Sequence, residues 1–82
     1  MSKDQSNYNF KIHEEIAVIS RKPSGWTLEL NVVSFNGKEA KYDLREWKDG
    51  HTSLRPGVRF SESDLKPLME AIQKRLEEIE HD

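Results

Sequence analysis

The chain has 82 residues, no cysteine, a net charge of −2 and a hydrophobic fraction of 34%. A chain this short and this polar buries only about 60–65% of its unfolded surface, so oligomerisation is the expected source of further stability. Without cysteine, disulfides, thiolate zinc sites and cysteine nucleophiles are all excluded. No window approaches the roughly 18 to 20 apolar residues of a membrane span, and residues 1–9 lack the hydrophobic core of a signal peptide. These features lead us to expect a cytoplasmic protein with no membrane partner.

Residues 1–9 are polar and aperiodic and read as a flexible arm, leaving residues 10–82 as one domain. Phe10 to Arg21 alternates apolar and polar residues at Phe10 and Ile12 and again at Ile16 and Val18. That pattern predicts a strand with a bulge near Glu14-Glu15. Arg21-Lys22-Pro23-Ser24-Gly25 is a turn with two cations at its entry. Trp26 to Phe35 is rich in β-branched and aromatic residues, Asn36-Gly37 is a strong turn signal, and Lys41 to Trp47 resumes alternation, so a β-hairpin is predicted. Lys48 to Gly57 reads as a polar loop and Val58-Arg59-Phe60 as a short strand. Ser61-Glu62-Ser63-Asp64 offers a capping box ahead of a helix that settles near residue 64, with Pro67 in its tolerated first turn. Along that helix Leu65, Leu68, Met69, Ile72, Leu76 and Ile79 recur at helical spacing and make one apolar stripe. The fold class is therefore α+β, four antiparallel strands followed by one amphipathic helix. The stripe exceeds what so small a sheet can cover, which points to a homodimer with Leu68, Met69, Ile72 and Leu76 at its interface.

Because strand side chains alternate, Lys41, Asp43, Arg45 and Trp47 share a face, and Asn31, Val33 and Phe35 share a face on the preceding strand. One sheet face can thus carry Phe35 and Trp47 among Lys41, Arg45 and Asn31, with Asp43 as an ion-pair partner for Arg45. Tyr42 and Phe60 are assigned to the core. Enzyme chemistry finds no support. His13, His51 and His81 have no ligand spacing, and there is no phosphate loop and no nucleophile elbow, so neither catalysis nor a metal, cofactor or small-molecule substrate is expected. Aromatic rings flanked by cations suit unpaired bases, since base–aromatic stacking contributes roughly 1–3 kcal/mol per base. Lys38, Lys41, Arg45, Arg21 and Lys22 would meet phosphates, and Asn31 a base edge or sugar. Residues 21–60 carry a net charge of +3 while residues 61–82 carry −4, so a basic middle adjoins an acidic helix. Local patches rather than net charge govern attraction to phosphate.

The pieces Gly25-Trp26, Glu29-Leu30-Asn31, Val33-Ser34-Phe35-Asn36, Lys41-Tyr42-Asp43-Leu44-Arg45-Glu46-Trp47 and Gly57-Val58-Arg59-Phe60-Ser61, in that order and spacing, carry a resemblance. From about Phe10 to Leu76 the chain resembles the positive cofactor four transcriptional coactivator family of single-stranded-DNA-binding proteins, in its short bacterial (YdbC-like) form. The resemblance implies a curved four-stranded sheet and helix, paired into a homodimer whose channels take single-stranded DNA with little sequence preference. It implies stacking at Phe35, an aromatic contact at Trp47, basic contacts at Lys41 and Arg45, and a further ring at Trp26. It also implies a role in transcription, replication or repair, with nucleoid association in a bacterium. Stacking does not tell the sugars apart, so RNA stays open as an alternative ligand. One feature departs from the family pattern, the acidic helix segment with the net charge of −2; the serine-rich tail of eukaryotic members is missing, so no phosphorylation control is implied. An alternative from another class is a dimeric adaptor that uses the aromatic face for a peptide or protein partner.

Overall fold

The structure is a computed structural model that describes residues 9–81. Apart from Asn9, the expected arm lies outside the described residues. The elements in order are β1 (Phe10–Arg21), β2 (Thr27–Phe35), β3 (Lys41–Lys48), β4 (Ser53–Leu54), β5 (Val58–Phe60), a 3-10 turn (Glu62–Asp64) and α1 (Leu65–Glu80). They form a curved antiparallel sheet followed by a single helix, as the sequence pattern predicts. One strand more than expected is present. The segment read as a loop after Trp47 contains β4, which pairs with the end of β3, while β5 pairs with its beginning. The order is thus β1-β2-β3 with β4 and β5 sharing the far side of β3.

Turn chemistry sets the connections. Asn36 and Gly37 both adopt positive φ (55° and 74°), and the Lys38 N–H donates to the Phe35 carbonyl at 3.0 Å, the geometry of a type I′ turn. Strand pairing resumes only at Lys41, opposite Val33. In β1 the register against β2 shifts three times, between Ile12 and Glu14, Glu15 and Ala17, and Val18 and Ser20. The sequence pattern indicates only the first region of irregularity. Each shift adds local twist.

The curl of the sheet is severe. Phe10 stands opposite Phe35, and Trp47 stands opposite Thr27, eight residues back along β2. In a flat sheet that separation is about 26 Å. Instead the Phe10 and Trp47 ring centroids are 5.2 Å apart. The ends of the strands have closed over a concave face, and the buried side chains are concentrated there. Gly57 sits against the back of this closure, where a Cβ would come within 2.4 Å of the Arg45 Cβ and 2.6 Å of the Leu44 carbonyl oxygen. Only glycine allows β5 to lie so close to β3.

The opposite, convex face carries Leu28, Leu30 and Leu44, with Tyr42 stacked on Phe60 (5.9 Å, 14° between planes); both rings are only half-buried, short of the core placement expected from the sequence. The capping box forms at the helix start, where the Asp64 carboxylate accepts the Ser61 backbone N–H at 3.1 Å. Pro67 falls in the first turn of α1, where its missing N–H costs no intrahelical bond. The helix stands off the sheet and leaves a groove of about 410 Å³ lined by Leu28, Leu30, Leu44, Leu68, Met69 and Ile72. Leu68, Met69, Ile72, Leu76 and Ile79 are all exposed, Ile72 by 58%. Ile16, Val18 and Ile19 of β1 are exposed as well. No helix among the described residues is long and apolar enough to cross a membrane.

Candidate nucleic-acid interface

The strand register places Phe35, Val33, Asn31, Glu29 and Thr27 of β2 on the same face as Lys41, Asp43, Arg45 and Trp47 of β3. This is the face the alternation predicts, and the curl makes it the concave one. Its surroundings differ from the expected open platform. Among the described residues the buried apolar side chains are Val33 and Trp47, both 0% exposed, and the buried polar ones include Asn31, Asp43, Arg45 and Glu29. The face is a polar-aromatic core.

Trp47 therefore requires a correction. Its ring is enclosed by Phe10, by His51 in an edge-on contact at 5.0 Å, and by the Arg45 guanidinium at 6.0 Å, so no base can reach its face. Asn31 is also enclosed, and its amide donates to Glu29 Oε1 at 3.1 Å rather than offering itself to a ligand. Arg45 is held by Asp43 as expected, through two bonds of 2.7 and 2.6 Å to the two carboxylate oxygens, and donates a third to the Arg55 carbonyl at 3.2 Å. The cause is the same for all three. The closure that brings the strand ends together turns a sheet surface into an interior.

Phe35 is half-buried at the mouth of the concavity, with the guanidinium groups of Arg45 and Arg59 each 4.8 Å from its ring centre. Arg59 also lies 3.4 Å from Asp43 and donates to the Val33 carbonyl. Asp43 thus faces two arginines. Lys41 and Lys38 are exposed beside this mouth, one on β3 and the other in the turn. The remaining expected residues form a separate cluster at the opposite end of β2. There the half-buried Trp26 has the Arg55 guanidinium 4.0 Å above its ring and the Lys48 ammonium at 5.7 Å. Glu46 ties Arg55 to this cluster at 2.6 Å and also pairs with Lys22, while Arg21 is exposed nearby. Hydrogen bonds from Lys22 and then Arg55 hold the Glu46 carboxyl below its ordinary range. The nine expected contacts are therefore split between the mouth, the interior and the Trp26 end.

Sequence reasoning missed Phe10, Arg59, Glu29 and His51 as members of this region. Alternation places Glu29 on the concave face, a signal that was available. His51 reads as a surface histidine, yet Asp49, Gly50 and His51 take three successive positive φ values (56°, 64° and 70°) that turn its ring inward. His51 Nε2 then lies 2.8 Å from Glu29 Oε1, while Thr27 donates to Oε2 at 2.6 Å. Burial alone would raise the Glu29 carboxyl, but hydrogen bonds from Thr27, His51 and Asn31 outweigh it and hold the group below its ordinary range. An ionised carboxylate can only accept, so His51 Nε2 carries the proton in this bond.

A lowered folded-state value means that the stabilisation is complete above the unfolded value, about pH 4.3, and is lost as pH falls through the lowered one. Urea midpoints measured from pH 7 to pH 3 should therefore fall on the acid side, and Glu29→Gln should flatten part of that fall. An unchanged acid limb in Glu29→Gln would remove Glu29 from the account.

No family model matches the chain. The chain is similar to an uncharacterized protein of Treponema pallidum (strain Nichols), with 26% identity over 66 residues that span 80% of this chain and 78% of the relative.

Proposed function

We propose that the protein is a non-enzymatic homodimer that binds single-stranded DNA with little sequence preference, at the mouth of the concave face and along the cations beside it. The observation that carries this reading is the interleaving of rings and cations on one curled face. Two guanidinium groups each lie 4.8 Å from the Phe35 ring centre, with exposed Lys38 and Lys41 alongside. Unpaired bases offer π-faces to such rings, and the cations offset phosphate charge, whereas a duplex keeps its bases stacked inside. Trp47, Asn31 and Arg45 then support the surface from beneath. The Trp26, Lys22, Arg21 and Lys48 cluster gives the strand a second hold. The resemblance to the positive cofactor four family leads to the same ligand and suggests a role in transcription, replication or repair.

Dimerisation is supported by the helix. Its stripe leaves Leu68, Met69, Ile72 and Leu76 exposed beside an apolar groove, a surface that a second copy would cover. The testing experiment is an anisotropy titration with oligo-dT, an RNA of equal length and a matched duplex at 50 and 200 mM salt, with sedimentation at the same protein concentrations. The expected result is a particle of twice the chain mass that prefers single strands. Its affinity should fall roughly 20- to 130-fold between the two salts if three to five phosphates are contacted. Tighter binding to RNA would make RNA the ligand. No binding to any of the three would overturn the reading in favour of the adaptor alternative, a peptide or protein partner on the aromatic face.

A further inference from the structure

Three rings meet on the concave face, and they are not equally available. Trp47 is 0% exposed. Phe35 is half-buried, but the guanidinium groups of Arg45 and Arg59 both lie within 4.8 Å of its ring centre and compete for its faces. The third ring is Phe10, the first residue of β1. It is half-buried, and its planes are inclined by 50° to Phe35 at 6.1 Å and by 55° to Trp47 at 5.2 Å. Neither neighbour lies flat against it. Among the described residues no cation sits over it, although cations sit over Phe35, Trp47 and Trp26.

We propose that Phe10 is a base-stacking residue, the ring at the mouth of the concavity that receives an unpaired base while Trp47 and Phe35 hold it in place. This rests on the single-strand reading above and names the residue that does the stacking. The geometry gives Phe10 what stacking requires, a π-face that among the described residues is not taken by a parallel ring or a guanidinium, held by two tilted ring contacts so that little rotamer freedom is lost on binding. It also gives the bound base a charged border, since the Phe35 ring carrying Arg45 and Arg59 is the next group along. Exposed Lys41 follows on the strand beside Phe35.

The test compares oligo-dT affinity in the full chain and in Phe10→Tyr, Phe10→Leu and Phe10→Ala, with thermal melting of each. Leucine keeps an apolar side chain of similar reach and has no π-face, so it separates stacking from packing. The expected result is that tyrosine binds within about threefold of the parent, while leucine and alanine lose roughly 5- to 140-fold, the range set by one stacked base. The leucine variant should keep a melting transition close to the parent's. Leucine binding as tightly as phenylalanine would overturn the proposal and leave the single-strand reading standing. Leucine binding more tightly would also overturn it, showing Phe10 to be a cover over the site. A parent chain that binds no single strand would instead sink the reading on which the proposal rests.

Discussion

Trp47→Ala should unfold most of the molecule. The side chain is wholly enclosed, and among the described residues the other fully buried apolar side chain is Val33, so no larger cluster of them can absorb the loss. Truncating a buried tryptophan costs about 3–5 kcal/mol, against a total stability of about 5–15 kcal/mol for a domain, and a chain this small lies at the lower end. Urea unfolding followed by circular dichroism, at fixed protein concentration, should show a midpoint far below the parent's or no transition at all. Trp26→Ala provides the contrast, because that ring is half-buried at a strand end, under the side chains of Arg55 and Lys48. Its midpoint should move by about 1 kcal/mol or less. A folded Trp47→Ala with parental stability would mean that the concave face is open after all.

Asp43→Asn should be nearly as damaging, for an electrostatic reason. The carboxylate is fully buried, accepts two hydrogen bonds from Arg45, and stands 3.4 Å from the Arg59 guanidinium. Asparagine fills the same volume but removes the charge that opposes the two guanidinium groups. Breaking a buried pair from one side typically costs about 3–5 kcal/mol, because the stranded partner remains desolvated. The double variant Asp43→Asn with Arg45→Gln should be less destabilised than the sum of the single changes, since it strands one fewer charge. Additive losses would mean that the ion pair contributes nothing beyond the volume of its atoms.

Much of the fold was legible because periodicity is set by local geometry. The two-residue alternation of Lys41 to Trp47 and the helical recurrence of Leu65 to Ile79 each describe one element and need no knowledge of its neighbours. The partnership of Arg45 with Asp43 follows from the same alternation. The extent of burial was not legible. Alternation assigns Trp47 and Asn31 to a face, but whether that face is open depends on sheet curl, which arises from three register shifts in β1 and from Gly57 letting β5 approach β3. A single strand's sequence encodes no such curvature. Phe10 was missed for the same reason. Its place beside Trp47 exists only because residues distant along the ladder meet across the concavity. His51 was missed because three consecutive left-handed residues are not a pattern that residue identity announces, with glycine at only one of them.

The irregular pairing of β1 has a further consequence for how the molecule behaves in a crowded solution. β1 is a terminal strand of the sheet, twelve residues long, and carries exposed Ile16, Val18 and Ile19. A long regular edge of that composition invites strands from other molecules to add to it without limit and start a fibril. The three shifts interrupt the row of outward N–H and C=O groups every few residues, and Glu14 and Glu15 place charge at the first interruption. No run long enough to template a regular ladder remains. The irregularities that bend the sheet into a cup thus also make its open edge a poor template for a regular ladder.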